Sequence, residues 1–430
     1  MRFSVTEILF FERDVRLRMP FRFGVVTLTQ APQAFARARI RLENGKESEG
    51  AAAELLAPKW FDKNPALSNE DNFEQLRHSM RQAREAYVSK ENRAAYGHSR
   101  PTVGLVENFG PALLDRALLD ALCRALGISF FDAIRRDVVG LDLQHQFAPP
   151  RHEIAARHTV GMVDPITTAE QRVNDGLPET LEEVVARYGH RWFKLKVGGN
   201  VKADVERLGA IAGVLDRIPE PYHASLDGNE QYEDIEGVRA LWSAIEAEPK
   251  LKRLAASIAF IEQPIKRQTA LTKPVAMEKP VIIDESDDSL DAFPRAKALG
   301  YRGVSSKTCK GIYKSLINAA RCAEWGKEYF MTGEDLTIQA GLALQQDLAL
   351  VSLLGLTHVE RNGHHYVNGM ADLPGSEQEA FLSNHPDLYE RSHGAVRLKI
   401  SKGMIAMKSI DCPGYASRAM PHWTAMKEMA

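Results

Sequence analysis

The first part of the chain alternates apolar and polar positions, as a half-buried strand does. Apolar residues at even positions from Ala36 to Leu42 alternate with arginines at 37, 39 and 41, so one strand face is apolar and the other is wet. The turn signal ENGK at 43–46 predicts that a hairpin follows. Upstream, residues 20–32 are bounded by prolines and contain Gly24, which predicts a mobile loop.

A helical period follows at residues 111–126, PALLDRALLDALCRAL. The apolar positions form one stripe, which comprises Leu114, Ala117, Leu118, Ala121, Leu122 and Ala125. Pro111 stands at the start of this segment and Gly127 just past its end, as is typical of helix termini. The pattern predicts an amphipathic helix.

From residue 154 onward, short apolar runs alternate with longer helical patterns. The predicted strands are 157–162, 191–197, 222–227, 257–262, 281–285, 302–307, 328–332 and 355–360. Eight strands separated by helices predict an α/β fold with a parallel barrel. No glycine-rich fingerprint follows the first of these strands, which argues against a doubly wound dinucleotide-binding sheet.

These patterns predict three regions. Residues 1–150 form an α+β capping domain, and the Pro-containing stretch APPRHE at 148–153 marks its end. Residues 151–365 form the barrel domain. Residues 366–430 are rich in Gly and Pro and contain short strand-like pieces, so we expect them to return to the capping domain.

Composition and charge narrow the functional classes. Of 430 residues, 44% are hydrophobic and 26% charged, which is ordinary for a globular protein. The balance of 55 Lys and Arg against 57 Asp and Glu argues against a nucleic-acid partner. We expect no membrane partner, since no apolar run of about 20 residues occurs and the N-terminal segment does not resemble a signal peptide. Four scattered cysteines indicate reduced thiols in a cytoplasmic protein.

Charged and amide residues recur where the predicted strands end. They are Lys194 and Lys196 on the second strand, Asp227 and Asn229 on the third, Glu262 on the fourth, Asp284 and Glu285 on the fifth, and Lys307 on the sixth. The C-terminal strand ends of such a barrel meet at one mouth, so we expect these side chains to converge. Taken singly, a Lys-x-Lys pair is usually a solvated strand face, and DES or DGN is usually a turn or helix cap.

Converging carboxylates repel one another, and a divalent cation removes that repulsion. Oxygen ligands favour Mg²⁺, or Mn²⁺, over zinc. A lysine that faces a carboxylate substrate held by such a cation could remove the α-proton. Burial and neighbouring positive charge lower a lysine's pKa, so we expect one of Lys194 and Lys196 to act as a base and the other to bind the substrate carboxylate.

The motifs resemble the enolase superfamily, in particular its muconate-lactonizing-enzyme and mandelate-racemase-like members. The resemblance rests on KLK at 194–196, DGNE at 227–230, IEQP at 261–264, DES at 284–286 and Lys307, in that order. It implies a modified (β/α)7β TIM-like barrel with an α+β capping domain formed by the N-terminal region and the C-terminal tail. It also implies Mg²⁺ dependence and a homo-oligomer.

The resemblance also implies roles for individual residues. Asp227, Glu262 and Asp284 would be metal ligands, Lys196 and Lys307 would be bases on opposite faces of the substrate, and Lys194 would contact its carboxylate. Further candidates for substrate binding or support of the ligands are Asn229, Glu285, Glu334, Glu360 and Arg22. Glu285 would hold Lys307 or a ligand, or would replace Asp284 as third ligand. The segment 307–312 has one glycine where the subgroup usually has two.

The expected activity is α-proton abstraction from a small carboxylate through an enediolate, which gives racemisation or epimerisation. With a leaving group at the β-carbon, the same step would give elimination, as in an acid dehydratase, or cycloisomerisation. Two alternatives come from other classes: a Schiff-base enzyme that uses one lysine as nucleophile, and a binding protein that keeps the fold without turnover. The intact acids and lysines argue against both.

Overall fold

The computed structural model of the protein describes residues 1–24, 26–143, 145–168, 172–336 and 339–429. The strands are β1 (Phe3–Phe23), β2 (Val26–Leu42), β3 (Glu47–Leu55), β4 (Ser89–Arg93), β5 (Glu153–Val160), β6 (Trp192–Lys196), β7 (His223–Asp227), β8 (Ile258–Glu262), β9 (Val281–Ile283), β10 (Gly303–Ser306), β11 (Phe330–Gly333), β12 (His358–Glu360), β13 (Tyr389–Ser392), β14 (Ala395–Leu398), β15 (Met404–Ala406) and β16 (Lys427–Met429).

The α-helices are α1 (Asn69–Tyr87), α2 (Ala95–His98), α3 (Phe109–Leu126), α4 (Phe130–Arg135), α5 (Leu181–Tyr188), α6 (Val201–Leu215), α7 (Ile235–Ala247), α8 (Lys252–Ser257), α9 (Arg267–Ala270), α10 (Ala292–Ala298), α11 (Ile312–Trp325), α12 (Leu342–Leu353) and α13 (Gly375–Asn384). None of the helices in the described ranges combines the length and the apolarity that a bilayer crossing requires.

The N-terminal part is an antiparallel sheet covered by helices. Strands pair in the order β16, β1, β2, β3, and β4 adds to β1. The turn after Leu42 joins β2 to β3, which confirms the predicted hairpin. Helix α3 packs on β3 at very short range: a Cβ atom on Gly50 would lie 2.1 Å from the backbone nitrogen of Ala121, so only glycine permits this approach.

The predicted helix at 111–126 is confirmed as α3, which begins two residues earlier. Gly127 ends it with φ of 67°, the left-handed conformation that glycine adopts most readily. Its apolar stripe is buried, and polar residues such as Asp115 and Arg116 are buried as well, since α1 packs against its other face.

The prediction of a loop over residues 20–32 is wrong. Strand β1 continues to Phe23 and β2 begins at Val26, and Phe21 pairs with Leu28 across the hairpin; Val25 lies outside the described residues. Phe23 and Leu28 are buried while Arg22 is exposed. This two-residue period is the signature of a strand, but Gly24 interrupts it after only a few residues.

The second part is a closed barrel of eight parallel strands. Strands β5 to β12 pair in sequence order, and β12 pairs with β5 to close the ring. Each of the seven connections contains at least one helix, which confirms the (β/α)7β barrel. Helix α12 is buried on every side because β3 and α4 of the N-terminal part also pack against it.

The C-terminal segment contacts both parts. Strand β16 pairs with β1 at the edge of the N-terminal sheet, while β15 pairs antiparallel with the first half of β5. One continuous hydrophobic core includes residues of β1 to β3, α3, α12 and the C-terminal segment. The N-terminal part, together with β16, is called the cap below.

Candidate active site

The barrel mouth carries the lysines and acids that the strand ends predict. Lys194 and Lys196 both face the interior from β6, and Leu195 between them points the other way, because side chains alternate along a strand. Lys307 follows β10, which lies four strands from β6 in the ring of eight. The two lysine-bearing strands are therefore on opposite sides of the mouth, with β7, β8 and β9 between them on one side.

Lys194 lies among four carboxylates. Its Nζ is 3.0 Å from Asp227 Oδ2, 2.9 Å from Glu262 Oε2, 2.7 Å from Glu334 Oε2 and 3.0 Å from Glu360 Oε2. Burial alone lowers the pKa of this lysine, but the carboxylates, led by Asp227 and Glu262, raise it well above its usual value. Lys194 is therefore an ammonium ion at the centre of the acid cluster.

Lys196 is held by the ends of β7. Its Nζ donates to Asp227 Oδ2 at 2.6 Å and to Asn229 Oδ1 at 2.7 Å. The ring of Phe21, at the hairpin of the cap, lies 5.7 Å from the same ammonium. The cap therefore covers this lysine directly.

Lys307 lies between Asp284 and an indole ring of the cap. Its Nζ is 2.6 Å from Asp284 Oδ2 and 4.3 Å from the centre of the Trp60 ring. Lys310 contacts the other oxygen of Asp284, with Nζ 3.3 Å from Oδ1, and also donates to Ser305 Oγ. Burial lowers the pKa of Lys307, but Asp284 more than offsets this and raises it above the usual value.

The carboxylates do not titrate alike. Burial raises the pKa of Asp284, but Lys307 and Lys310 reverse this and hold it well below its usual range. Burial and the neighbouring Glu334 raise the pKa of Glu262 well above its usual value, despite Lys194. A cation beside Glu262 would favour the ionised form of this carboxyl.

Glu285, Glu334 and Glu360 all belong to this cluster. Glu285 Oε1 accepts from Asn229 Nδ2 at 3.3 Å, while its Oε2 is buried without a hydrogen bond from any described residue. Glu334 pairs with Arg157 and Lys194. Glu360 accepts from Thr159 Oγ1 at 2.5 Å.

Arg22 is not part of the cluster. Its side chain is exposed on the outer face of the hairpin, and its backbone oxygen accepts from the Met162 N–H at 3.1 Å. Its neighbours Phe21 and Phe23 face the site instead.

Three residues that we did not predict as site residues connect the cap to the mouth. Lys63 Nζ lies 2.5 Å from Glu230 Oε2 and donates to the backbone oxygen of Asn229 at 2.7 Å. Arg267 donates to the Trp60 oxygen at 2.8 Å and pairs with Glu230. The aromatic and basic run PKWFDK at 58–63 was the available sequence signal, but nothing in it identifies Glu230 as the partner.

The cap and the barrel together enclose a chamber. Its described lining residues are Phe21, Phe23, Leu28, Leu55, Ala57, Trp60, Lys194, Lys196, Asn229, Lys307, Asp335, Leu336 and Glu360. Its open space is about 40 Å³, which is room for only a few water molecules.

The donor chemistry of the site suits a hard cation, but the side chains do not form a finished metal site. Asp227, Glu262 and Asp284 are fully buried oxygen donors at adjacent strand ends, as Mg²⁺ prefers. Within the described ranges, no three His, Cys, Asp or Glu side chains are spaced to share an ion. The Lys194 ammonium lies between Asp227 and Glu262, and Asp284 is turned toward Lys307.

Comparisons with known proteins agree with this architecture. A family model described as enolase C-terminal domain-like matches residues 176–415, which is more than half of the chain. No curated protein matches the chain significantly.

Several solved structures share the fold over nearly the whole chain. A dipeptide epimerase from Cytophaga hutchinsonii, complexed with Mg and the dipeptide D-Ala-L-Val, has a TM-score of 0.64 at 15% identity and covers 99% of each chain. The 2-chloromuconate cycloisomerase from Rhodococcus opacus 1CP has a TM-score of 0.62 at 16% identity, with 97% of each chain covered. The L-Ala-D/L-Glu epimerase from Bacillus subtilis has a TM-score of 0.60 at 16% identity and covers 97% of this chain and 99% of its own.

Identities this low establish the fold alone, whereas the family model establishes membership. Members of this family are enzymes, and the neighbouring structures include epimerases and cycloisomerases. The chain belongs to the enolase superfamily.

Proposed function

We propose that the protein removes the α-proton of a small carboxylate substrate in a Mg²⁺-dependent reaction, and that it catalyses racemisation or epimerisation. The observation that carries the proposal is the pair of lysines, Lys196 and Lys307, on opposite sides of one barrel mouth. Two bases on opposite sides suit removal of a proton from one face of a carbon and return to the other. Elimination and cycloisomerisation need no second base for that step.

Asp227, Glu262 and Asp284 would hold the Mg²⁺ ion, and Mn²⁺ could replace it. The bound ion would supply positive charge to the substrate carboxylate as negative charge develops on its oxygens. Lys194 carries the same sign of charge, so it would have to leave the carboxylates of Asp227 and Glu262 when the ion binds. It would then be free to contact the substrate carboxylate.

The two lysines would alternate as acid and base. In one direction Lys196, as a neutral amine, would accept the α-proton while Lys307, as an ammonium ion, would donate a proton to the opposite face. In the reverse direction the roles would exchange. Each turnover thus moves one proton onto one lysine and one proton off the other, and α-hydrogen exchange with solvent follows.

The hairpin at 20–32 would act as the cover of the chamber. Phe21 and Phe23 close the present space to about 40 Å³, so substrate entry requires this hairpin to move, as loops over active sites commonly do. We also propose a homo-oligomer, which light scattering on the purified protein would test.

The test is proton exchange in D₂O, followed by NMR over a panel of carboxylic acids with Mg²⁺ present. The wild-type protein should exchange the α-proton of at least one acid. Lys196→Ala should reduce exchange of one enantiomer, and Lys307→Ala exchange of the other enantiomer, by about 10²–10⁴-fold. Each variant should lose the interconversion of the two enantiomers. Lys202→Ala, on the exposed face of α6, is the control. Normal exchange of both enantiomers by each single lysine variant would show that the base assignment is wrong.

A further inference from the structure

The cap side of the chamber lining is apolar, and the barrel side is polar apart from Leu336. Every described lining residue from the cap is apolar, and these six residues are called the roof: Phe21, Phe23, Leu28, Leu55, Ala57 and Trp60. All the described polar lining residues come from the barrel. The indole nitrogen of Trp60 is itself buried from solvent, so its ring presents carbon to the chamber.

Contacts to the rest of the protein hold the roof in place. Arg267 binds the Trp60 oxygen, and Lys63 pairs with Glu230 at 2.5 Å. At the hairpin, the Phe21 ring lies 4.3 Å from the ring of Tyr366.

A substrate hydroxyl against the apolar roof would lose its hydrogen bonds to water and gain none in return.

The acids of the barrel side are already engaged by protein donors. Glu360 accepts from Thr159 and from the Asp335 N–H, and contacts Lys194. Asp335 pairs with Arg361. Lys194, Lys196 and Lys307 are the cationic groups of the described lining. A substrate carboxylate would compete for these ammonium groups with the acids that they contact, which a hydroxyl does less well.

We propose that the substrate is a carboxylate whose α-substituent is apolar, either branched alkyl or arylalkyl, and not a polyhydroxylated sugar acid. The inference rests on the proposed function. The carboxylate end would lie toward the lysines of the barrel and the α-substituent against the roof.

The experiment compares acids that share one head group. We compare 2-hydroxy acids that carry a methyl, isobutyl or benzyl group on the α-carbon with aldonic acids of four to six carbons. The readout is α-proton exchange in D₂O. The rate constant kcat/KM should rise about tenfold or more from methyl to isobutyl or benzyl. Aldonic acids should exchange at least about 100-fold more slowly than the best apolar acid, because their hydroxyls stay unpaired.

Substitutions in the roof test whether the α-substituent of the substrate lies against it. Leu28→Gln should lower kcat/KM for the isobutyl and benzyl acids about tenfold or more, mainly through KM, while Leu28→Met should retain it. Thr27→Gln, on the exposed face of the same hairpin, is the matched control. An unchanged preference in Leu28→Gln that is folded by circular dichroism would contradict the assigned roof.

Ligand binding separates this inference from the proposed function. The shift in Tm on adding each acid with MgCl₂ reports binding without turnover. If apolar acids raise Tm and aldonic acids do not, but nothing exchanges, the substrate class holds and the proposed function fails. If aldonic acids bind or exchange as well as apolar acids, the substrate class is wrong while exchange itself supports the proposed function.

Discussion

The buried acids of the barrel mouth differ in how much positive charge surrounds them. Lys194 contacts four carboxylates, and even so the pKa of Glu262 stays well above its usual value because of burial and Glu334. Asp284, by contrast, has two lysines and a strongly lowered pKa. Within the proposed ligand set, the pKa of Glu262 is thus raised and the pKa of Asp284 is lowered. A bound cation would therefore change the ionisation of Glu262 more than that of Asp284.

Lys310 is expected to position Asp284 without touching substrate. It is buried, and it contacts Asp284, Ser305 and Asp287. Lys310→Met should raise the Mg²⁺ concentration for half-maximal activity by about 10–100-fold, as the loss of residues that orient metal ligands typically does. A Mg²⁺ titration of exchange activity measures this.

The matched control for that variant is Lys314→Met. Lys314 contacts Asp287, which it shares with Lys310, and no direct contact joins it to Asp284. Its removal should therefore raise the Mg²⁺ requirement less than Lys310→Met does. Equal effects of the two substitutions would show that Lys310 does not act through Asp284.

Asp115 in α3 should make stability depend on pH. Burial raises its pKa to about 7, against an ordinary value of 3.8, although Ser99 and Tyr87 donate to it. Between about pH 4 and pH 7 the folded state holds a proton that the unfolded state has lost, so stability falls as pH rises. The loss is complete above pH 7 and has an upper limit of about 4 kcal/mol.

Asp115→Asn removes this titration. Urea unfolding from pH 4.5 to 8 should show wild-type stability falling relative to the variant as pH rises. The difference should run mainly across this window, because the group has the same proton content in both states outside it. A pH-independent difference would contradict a raised pKa.

At the scale of elements, the cap loop at 56–68 determines what faces Lys307. Arg267 of α9 donates to the backbone oxygens of Trp60 and Phe61 in this loop, and Glu230 of the barrel pairs with Lys63 of the loop. The loop itself has no strand or α-helix, so these contacts are what hold the Trp60 ring over the lysine.

Arg267→Ala should therefore weaken substrate binding without disturbing the barrel chemistry directly. We expect KM to rise about tenfold, since losing hydrogen bonds to a charged group costs on the order of 1.5–3 kcal/mol, and kcat to change less. Lys266→Ala is the neighbouring control, because Lys266 pairs with Glu233 at the surface. Steady-state kinetics of both variants decide this, and equal KM values in both would contradict the role of the loop.

Most elements near the site were predictable because they are locally encoded. The barrel strands are short apolar runs, and α3 has a helical stripe with Gly127 at its end. The rule of alternation along a strand also predicted that Lys194 and Lys196 share a face. The hairpin at 20–32 was not predicted because its alternation of apolar and polar residues is short and is interrupted by Gly24.

What could not be predicted depends on contacts between distant residues. Lys63 meets Glu230, and Arg267 meets Trp60, only because the cap folds onto the barrel. The position of Lys194 among four acids is also a matter of side-chain geometry. Alternation gives the direction of a side chain but not the partners at its tip.

At the scale of the whole molecule, the cap shares a hydrophobic core with α11, α12 and the C-terminal segment, while most buried apolar residues of β6 to β10 and of the helices around them form a second core. The continuous hydrophobic cluster runs from Phe10 in β1 through Leu118 in α3 to Leu348 in α12 and Tyr415 near the C-terminus. Because the core of the cap includes α12 of the barrel, unfolding of the cap alone would expose apolar residues of the barrel to water. We therefore expect the cap and the barrel to unfold together.

Leu118→Ala tests this expectation. Leu118 is buried in the cap, so the substitution should cost about 2–5 kcal/mol of unfolding free energy. Tryptophan fluorescence, which reports mostly on Trp192, Trp242 and Trp325 of the barrel, should shift to lower urea together with far-UV circular dichroism. A barrel transition that stays at the wild-type midpoint would show that the cap unfolds independently.

The proposed chemistry requires a divalent cation held by Asp227, Glu262 and Asp284 for α-proton removal. The direct measurement is α-proton exchange in D₂O, with the most active acid of the panel, after exhaustive chelation and then during a Mg²⁺ titration. We expect exchange to be lost on chelation and to return with added Mg²⁺ or Mn²⁺. Full exchange by the chelated protein would contradict this requirement.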